Sequence, residues 1–183
     1  MSSSRRDDLS RTSGEVRVGA VLFTDLVGFT DFTDAVGDAG ALQVLDEQTE
    51  IVRSVLAGRA DARLVKELGD GLMLWFGSAH GGLTCAIALL GAIDIARSRG
   101  TFPLAVRMGI HHGQAIARGD DLVGQTVNIA ARVAALAGPG ELLVSESVLA
   151  ACDGEAAGVP MQPVGPAVVR GVQEPIWLHR VTV

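Results

Sequence analysis

The sequence predicts an α+β fold: a ferredoxin-like βαββαβ core with additional C-terminal strands and helices. Three observations carry that expectation. Residues Val65–Phe76 hold two apolar runs around a Gly69-Asp70-Gly71 tip, a short-range hairpin signal. Upstream, the β-rich apolar run Val16–Thr24 reads as a central strand. Between them, Ala39–Ala57 spaces Leu42, Leu45, Val52 and Val55-Leu56 among charges, the pattern of an amphipathic helix. After the hairpin, His80–Arg99 is Ala- and Leu-rich and stops at Gly100, and Leu104–His111 reads as another strand. Strand, helix, strand, strand, helix, strand is the order of a split βαβ core. Such a sheet carries its helices on one face. The other face must be covered by the remaining elements or by a partner chain.

The other elements follow in order. Phe29–Val36 is expected as a short helix, and Arg63–Leu68 and Leu72–Phe76 as the hairpin strands. Gly113 and Gly119 bracket a short strand, Gln114–Arg118. Gln125–Ala137 reads as a helix stopped by Gly138-Pro139-Gly140, and Glu141–Val144 as a strand. Ser145–Ala151 is a short helix with Ser145 as its cap. Further strands are expected near Ala167–Arg170 and Ile176–Val183. Residues 1–15, rich in Ser, Arg and Asp and without periodicity, read as a flexible tail. Residues 16–183 then form a single domain.

Composition narrows the function. With 48% hydrophobic and 20% charged residues among 183, the chain is globular in character and long enough for a real core. A net charge of −6 argues against nonspecific binding to nucleic acid or to a membrane surface, since both need a positive field. It leaves a nucleotide substrate open, because a divalent cation supplies positive charge locally. Cys85 and Cys152 each lie in apolar stretches without metal spacing, so buried free thiols are expected. No uninterrupted apolar run reaches about 18 residues and no apolar signal core opens the chain, so no membrane partner and a cytoplasmic location are expected.

Two strand ends invite metal chemistry. Asp70 sits on the hairpin tip, four residues after Lys66. Asp25 ends the first apolar strand and is followed three residues later by Gly28. Carboxylates at the ends of adjacent strands can hold two divalent ions; two ordinary turn aspartates are the competing reading. A third segment runs from Asp121 to Arg132. If a helix begins near Gln125, Asn128 and Arg132 share a face. An amide beside a guanidinium can grip a sugar and a phosphate, and a solvated helix stripe is the alternative. His111 and His112 suggest a general base, but a structural place in the strand is the stronger reading. Trp75 and Phe76 end an apolar strand and read as core or interface.

At this point the chain resembles the class III nucleotidyl cyclase catalytic domain, the family of adenylate and guanylate cyclases, and most resembles a bacterial adenylate cyclase. Phe23-Thr24-Asp25-Leu26-Val27-Gly28-Phe29-Thr30 looks like the family's first metal motif. Lys66-Glu67-Leu68-Gly69-Asp70 looks like its Lys-x-x-Gly-Asp motif. Val106-Arg107-Met108-Gly109-Ile110-His111-His112-Gly113 is similar to its Arg-x-Gly-x-His-x-Gly strand. Asp121 through Arg132 resembles its Asp-x-x-Gly-x-x-Val-Asn-x-Ala-x-Arg segment, and Val169-Arg170-Gly171 with Glu174-Pro175 its closing strand pair. Any one motif is weak; all of them in order make a specific signal.

The resemblance implies a role for each residue. Asp25 and Asp70, helped by the Leu26 carbonyl, would bind two divalent ions, Mg²⁺ or Mn²⁺. Lys66 and Asp121 would read the base, Asn128 would orient the ribose, and Arg132 would stabilise charge on the α-phosphate. Arg107 and Arg170 would contact the outgoing pyrophosphate; the family often has Lys at the latter position. The implied reaction converts ATP to 3′,5′-cyclic AMP and pyrophosphate. Chemistry supports ATP: adenine offers an N1 acceptor beside an N6 donor, complementing Lys66 and Asp121, whereas guanine reverses both. Asp120 offers a second register, but Asp121 stands seven residues before Asn128, as in the family. The resemblance also implies a homodimer with shared sites. One chain gives Asp25, Asp70 and Arg107; the other gives Lys66, Asp121, Asn128, Arg132 and Arg170. Guanylate cyclase activity and a catalytically silent nucleotide-binding domain are the alternatives. A diguanylate cyclase would need a Gly-Gly-Asp/Glu-Glu-Phe signature at the hairpin, which instead reads Gly69-Asp70-Gly71.

Overall fold

The structure, a computed structural model, describes residues 14–154, 156, 158–170 and 172–182. Residues 1–13 of the expected tail, Gly171 of the closing motif and Val183 lie outside the described residues. Glu15, expected in the tail, already opens the first strand.

The elements run β1 (Glu15–Leu26), α1 (Phe29–Leu56), β2 (Ala62–Leu68), β3 (Gly71–Phe76), α2 (Ala79–Ser98) and β4 (Val106–Arg118), then β5 (Asp121–Val123), α3 (Gln125–Leu136), β6 (Leu142–Ser145), α4 (Glu146–Ala151), β7 (Met161–Ala167) and β8 (Ile176–Val181). Among the described residues the strands form one eight-stranded sheet in the order β2-β3-β1-β4-β6-β8-β7, with β5 paired to β4. The antiparallel run β2-β3-β1-β4, crossed by α1 and α2, is the βαββαβ core predicted from the sequence. β6 joins β4 in parallel, and β8 and β7 complete the sheet antiparallel.

Side chains alternate across the sheet with the two-residue period of a strand. Ala20, Leu22, Leu72, Leu74 and Phe76 face α1 and α2 and join Leu83, Leu89, Leu90 and Ile93 in the main core. Val21, Met73 and Trp75 face the other way and meet Ala115, Leu122 and Ala130. α3 therefore covers the second face, which is the first of the two solutions the fold class allows. Its close approach depends on Gly109 of β4: a Cβ there would lie 2.0 Å from the Ala134 nitrogen. α2 is long and apolar enough to cross a membrane by length and composition, with a mean hydropathy of 1.5. Counting uninterrupted apolar runs passes over it. Its apolar face lies in the core just described.

Several boundaries differ from expectation for identifiable reasons. The two expected helices before the hairpin are continuous apart from a kink at Gly37, whose φ is 77°. The two expected strands around Gly113 are one strand, because Gly113 stays in the ladder opposite Gly19. β5 was not expected; three residues give too little pattern to see. The strand placed at Ala167–Arg170 lies earlier, at Met161–Ala167, where Pro163 and Pro166 disguise it; an edge strand tolerates proline. Ser145 occupies the N-cap of α4, but its side chain makes no cap bond.

Candidate active site

β1 and β4 run antiparallel with Asp25 opposite Arg107. Their side chains meet there: Arg107 Nε lies 2.6 Å and Nη2 2.5 Å from the same Asp25 oxygen, Oδ2. Gly69, at φ 68°, makes the tight turn between β2 and β3 that carries Asp70. Burial, and then the negative charge of Asp25, push the Asp70 carboxyl above its ordinary value; a backbone hydrogen bond at Leu26 pulls the other way. Asp25, Leu26 and Asp70 are thus brought together at one end of the sheet. Asp25 and Arg107 line a concavity of about 160 Å³ with Thr24, Leu68, Gly71 and Ala131.

Among the described residues no group of three or more His, Cys, Asp or Glu forms a metal cage. Two mutually repelling carboxylates, one near the end of β1 and one on the β2–β3 turn, do suit a cation of the Mg²⁺ kind. Such an ion keeps several waters and takes one or two carboxylates, completing its shell from substrate phosphates.

Lys66 faces a different group. The β2–β3 ladder pairs Leu64 with Leu74 but Lys66 with Met73, so a bulge falls at Val65. Leu74 belongs to the α1–α2 core and Met73 to the α3 side. Without the extra residue, Lys66 would point into the main core. With it, Lys66 Nζ lies 2.7 Å from Asp121 Oδ2. The Leu122 amide donates to the other Asp121 oxygen at 2.7 Å. The Lys66 hydrogen bond holds the Asp121 carboxyl below the usual carboxylate range. Arg63, which the sequence reading did not single out, donates from Nη1 to the Asp120 carbonyl at 2.8 Å. The only hint in the sequence was a charge inside the apolar stretch Ala62–Val65.

Asn128, Arg132 and Arg170 come together around a concavity of about 470 Å³, with Gly124, Gln125, Ile129 and Val172. This concavity and the one at Asp25 share no lining residue, although α3 contributes to both. His111 belongs to neither. It is buried, with Nδ1 at 2.8 Å from Ser145 Oγ and 3.0 Å from Ser147 Oγ. Burial, then the charge of His112, push its pKa down to about 4, so it is neutral at neutral pH. It braces β4 against β6 and α4, which supports its structural reading and explains why the Ser145 hydroxyl does not cap α4. Trp75 is buried in the α3-side cluster, as core.

Comparison with known proteins agrees with this architecture. The profile of the adenylate and guanylate cyclase catalytic domain matches residues 13–180. The chain belongs to that family. It is 31% identical over 177 residues to a pH-sensitive adenylate cyclase of Mycobacterium tuberculosis, covering 93% of this chain and 43% of the relative. It is 36% identical over 125 residues to an adenylate cyclase of Streptomyces coelicolor, covering 68% of this chain and 32% of the relative. The cyclase domain described here thus spans less than half the length of these relatives. Its fold matches the adenylyl cyclase CyaB of P. aeruginosa with a TM-score of 0.81 at 21% identity, over 92% of this chain and 95% of that one. It also matches the core of a rhodopsin-guanylyl cyclase with converted specificity, in complex with ATPαS, with a TM-score of 0.82 at 21% identity, over 94% and 99% of the two chains.

Proposed function

We propose that this cyclase domain is an adenylate cyclase, converting ATP to 3′,5′-cyclic AMP and pyrophosphate at two sites shared across a homodimer. The observation that carries the choice of base is the 2.7 Å contact between Lys66 and Asp121. It sets a pure donor beside a pure acceptor, the complement of adenine N1 and N6. Guanine in the same place would leave polar atoms mismatched, at about 1–3 kcal/mol for each group.

Asp25 and Asp70, with the Leu26 carbonyl, hold two divalent ions, Mg²⁺ or Mn²⁺. When bound, these supply Lewis-acid activation of the ribose 3′-hydroxyl and neutralise triphosphate charge. Asn128 orients the ribose so that its 3′-oxygen lies in line with the α-phosphate. That oxygen bonds to the α-phosphorus, its proton leaves to solvent, and the bond to the β-phosphate oxygen breaks. Arg132 donates to the α-phosphate oxygens as charge gathers there. Arg107 and Arg170 hold the departing pyrophosphate. The dimer is supported by the separation of the set within one chain: Asp25 and Arg107 line one concavity, and Asn128, Arg132 and Arg170 line another that shares no residue with it.

The test is incubation of the purified protein with ATP or GTP and Mn²⁺, the product being identified by mass. Cyclic AMP from ATP is the expected result. Cyclic GMP from GTP, with no cyclic AMP from ATP, would make the domain a guanylate cyclase. No cyclic product from either would make it a silent nucleotide-binding domain.

A further inference from the structure

We infer that Arg63 is a positioning residue for base selection: it holds the β4–β5 turn against β2, and so keeps Asp121 in place to read the base. This inference rests on the base-reading role proposed above for Lys66 and Asp121. Arg63 stands opposite Trp75 in the β2–β3 ladder, and Lys66 opposite Met73. Both partners belong to the α3-side cluster, so directly paired Arg63 and Lys66 emerge on the same face. That face looks toward β5.

β5 is a weakly held element. It has three residues, and its ladder to β4 consists of Ile116 with Val123, Ala117 with Leu122 and Arg118 with Asp121. So short a ribbon fixes its own tip poorly. Two side-chain links tie this tip to β2 at successive residues: Arg63 to the Asp120 carbonyl, and Lys66 to the Asp121 carboxylate. The links differ in what substrate does to them. A base that uses Lys66 as donor and Asp121 as acceptor competes with the ion pair, so that link loosens when the site fills. The Arg63 link ends on a backbone carbonyl and can stay closed. A guanidinium is always charged and gives a fixed fork of donors, so this link persists at any working pH. Arg63 therefore holds the turn in register at the moment the ion pair is engaged by the nucleotide.

The experiment compares steady-state kinetics with ATP and GTP for the wild type, Arg63→Met, Arg63→Lys, Asp121→Asn and the double variant Arg63→Met/Asp121→Asn. Amide hydrogen exchange at Leu122 and Val123 is followed alongside. Arg63→Met should raise KM for ATP and lower the ATP-over-GTP ratio of kcat/KM by about three- to tenfold, the net scale of one solvent-accessible hydrogen bond. Its kcat should stay within about twofold, since Arg63 touches no reacting atom. Arg63→Lys should restore most of the ratio. In the double variant the ratio should be no lower than in Asp121→Asn alone, because both act through one carboxylate. Exchange at Leu122 should quicken in Arg63→Met. A general structural role would instead lower kcat for both nucleotides alike, with the ratio unchanged. An unchanged ratio in Arg63→Met, alongside a changed one in Asp121→Asn, would overturn the positioning role and leave the base reading intact. An unchanged ratio in Asp121→Asn would remove the base reading, and this inference with it.

Discussion

The two concavities of the cyclase domain differ in charge and in how far each is satisfied from within. At the end of β1 burial, and then the nearby Asp25 carboxylate, raise the Asp70 pKa, and Arg107 already occupies Asp25. Beside α3 the lining holds two arginines, Arg132 and Arg170, with Asn128 and Gln125 and, among the described residues, no carboxylate. One half suits cations and carries an internal stand-in for one. The other suits phosphate and has no anionic stand-in in its lining. A triphosphate carrying divalent ions would complement both, and on this reading two copies of one chain supply both halves.

The largest expected effect tests whether the halves come from different chains. Arg132→Ala should lower kcat by about 10²–10³-fold, as loss of a transition-state donor does. Asp25→Ala should lower it at least as far. Mixed under subunit exchange, the two inactive proteins should recover roughly one quarter of wild-type activity, since about half the dimers are mixed and each has one intact site. No recovery, with exchange confirmed by tagged subunits, would put both halves of a site in one chain.

A smaller effect is expected at the base. Lys66→Glu combined with Asp121→Asn should cut ATP use by at least about fivefold per mismatched group and allow GTP to compete. Measured kcat/KM ratios that still favour ATP as in the wild type would contradict the donor–acceptor reading.

The internal pairing of the acidic half can be probed without turnover. Arg107→Gln frees Asp25, so Mn²⁺ should bind about two- to fivefold more tightly, the scale of a partly exposed ion pair. Calorimetry or Mn²⁺ paramagnetic resonance reads this directly. Equal or weaker binding would mean that Arg107 does not compete with the cation.

The smallest effect follows from Asp70. Its folded pKa is raised, so between the ordinary carboxylate value and that raised value the folded state holds more protons than the unfolded one. Stability therefore falls as pH rises through this window, and the penalty is fully present at neutral pH. Asp70→Asn should raise the metal-free Tm at pH 7 by about 1–2 °C and lose that gain on acidification below the window. A lower Tm at pH 7 would mean that ionised Asp70 stabilises the metal-free fold.

By itself the sequence determined the βαββαβ order, because hydrophobic period and turn chemistry are local: Gly69-Asp70-Gly71 marks the hairpin, and Val16–Thr24 the central strand. Its short contiguous motifs also contain Asp25, Arg107, Asn128, Arg132 and Arg170, which line the two concavities, whereas Gln125, in the second lining, it marked only as a helix start. Three matters were decided only in the tertiary structure. The bulge at Val65 sends Lys66 to the α3 side, and a one-residue slip in strand pairing leaves no local mark in composition. β5 and the proline-bearing β7 exist because neighbouring strands offer them a ladder, not because their own residues favour one. Arg63 reaches Asp120 across 57 positions of sequence, a meeting that no local pattern encodes because it depends on how two hairpins pack.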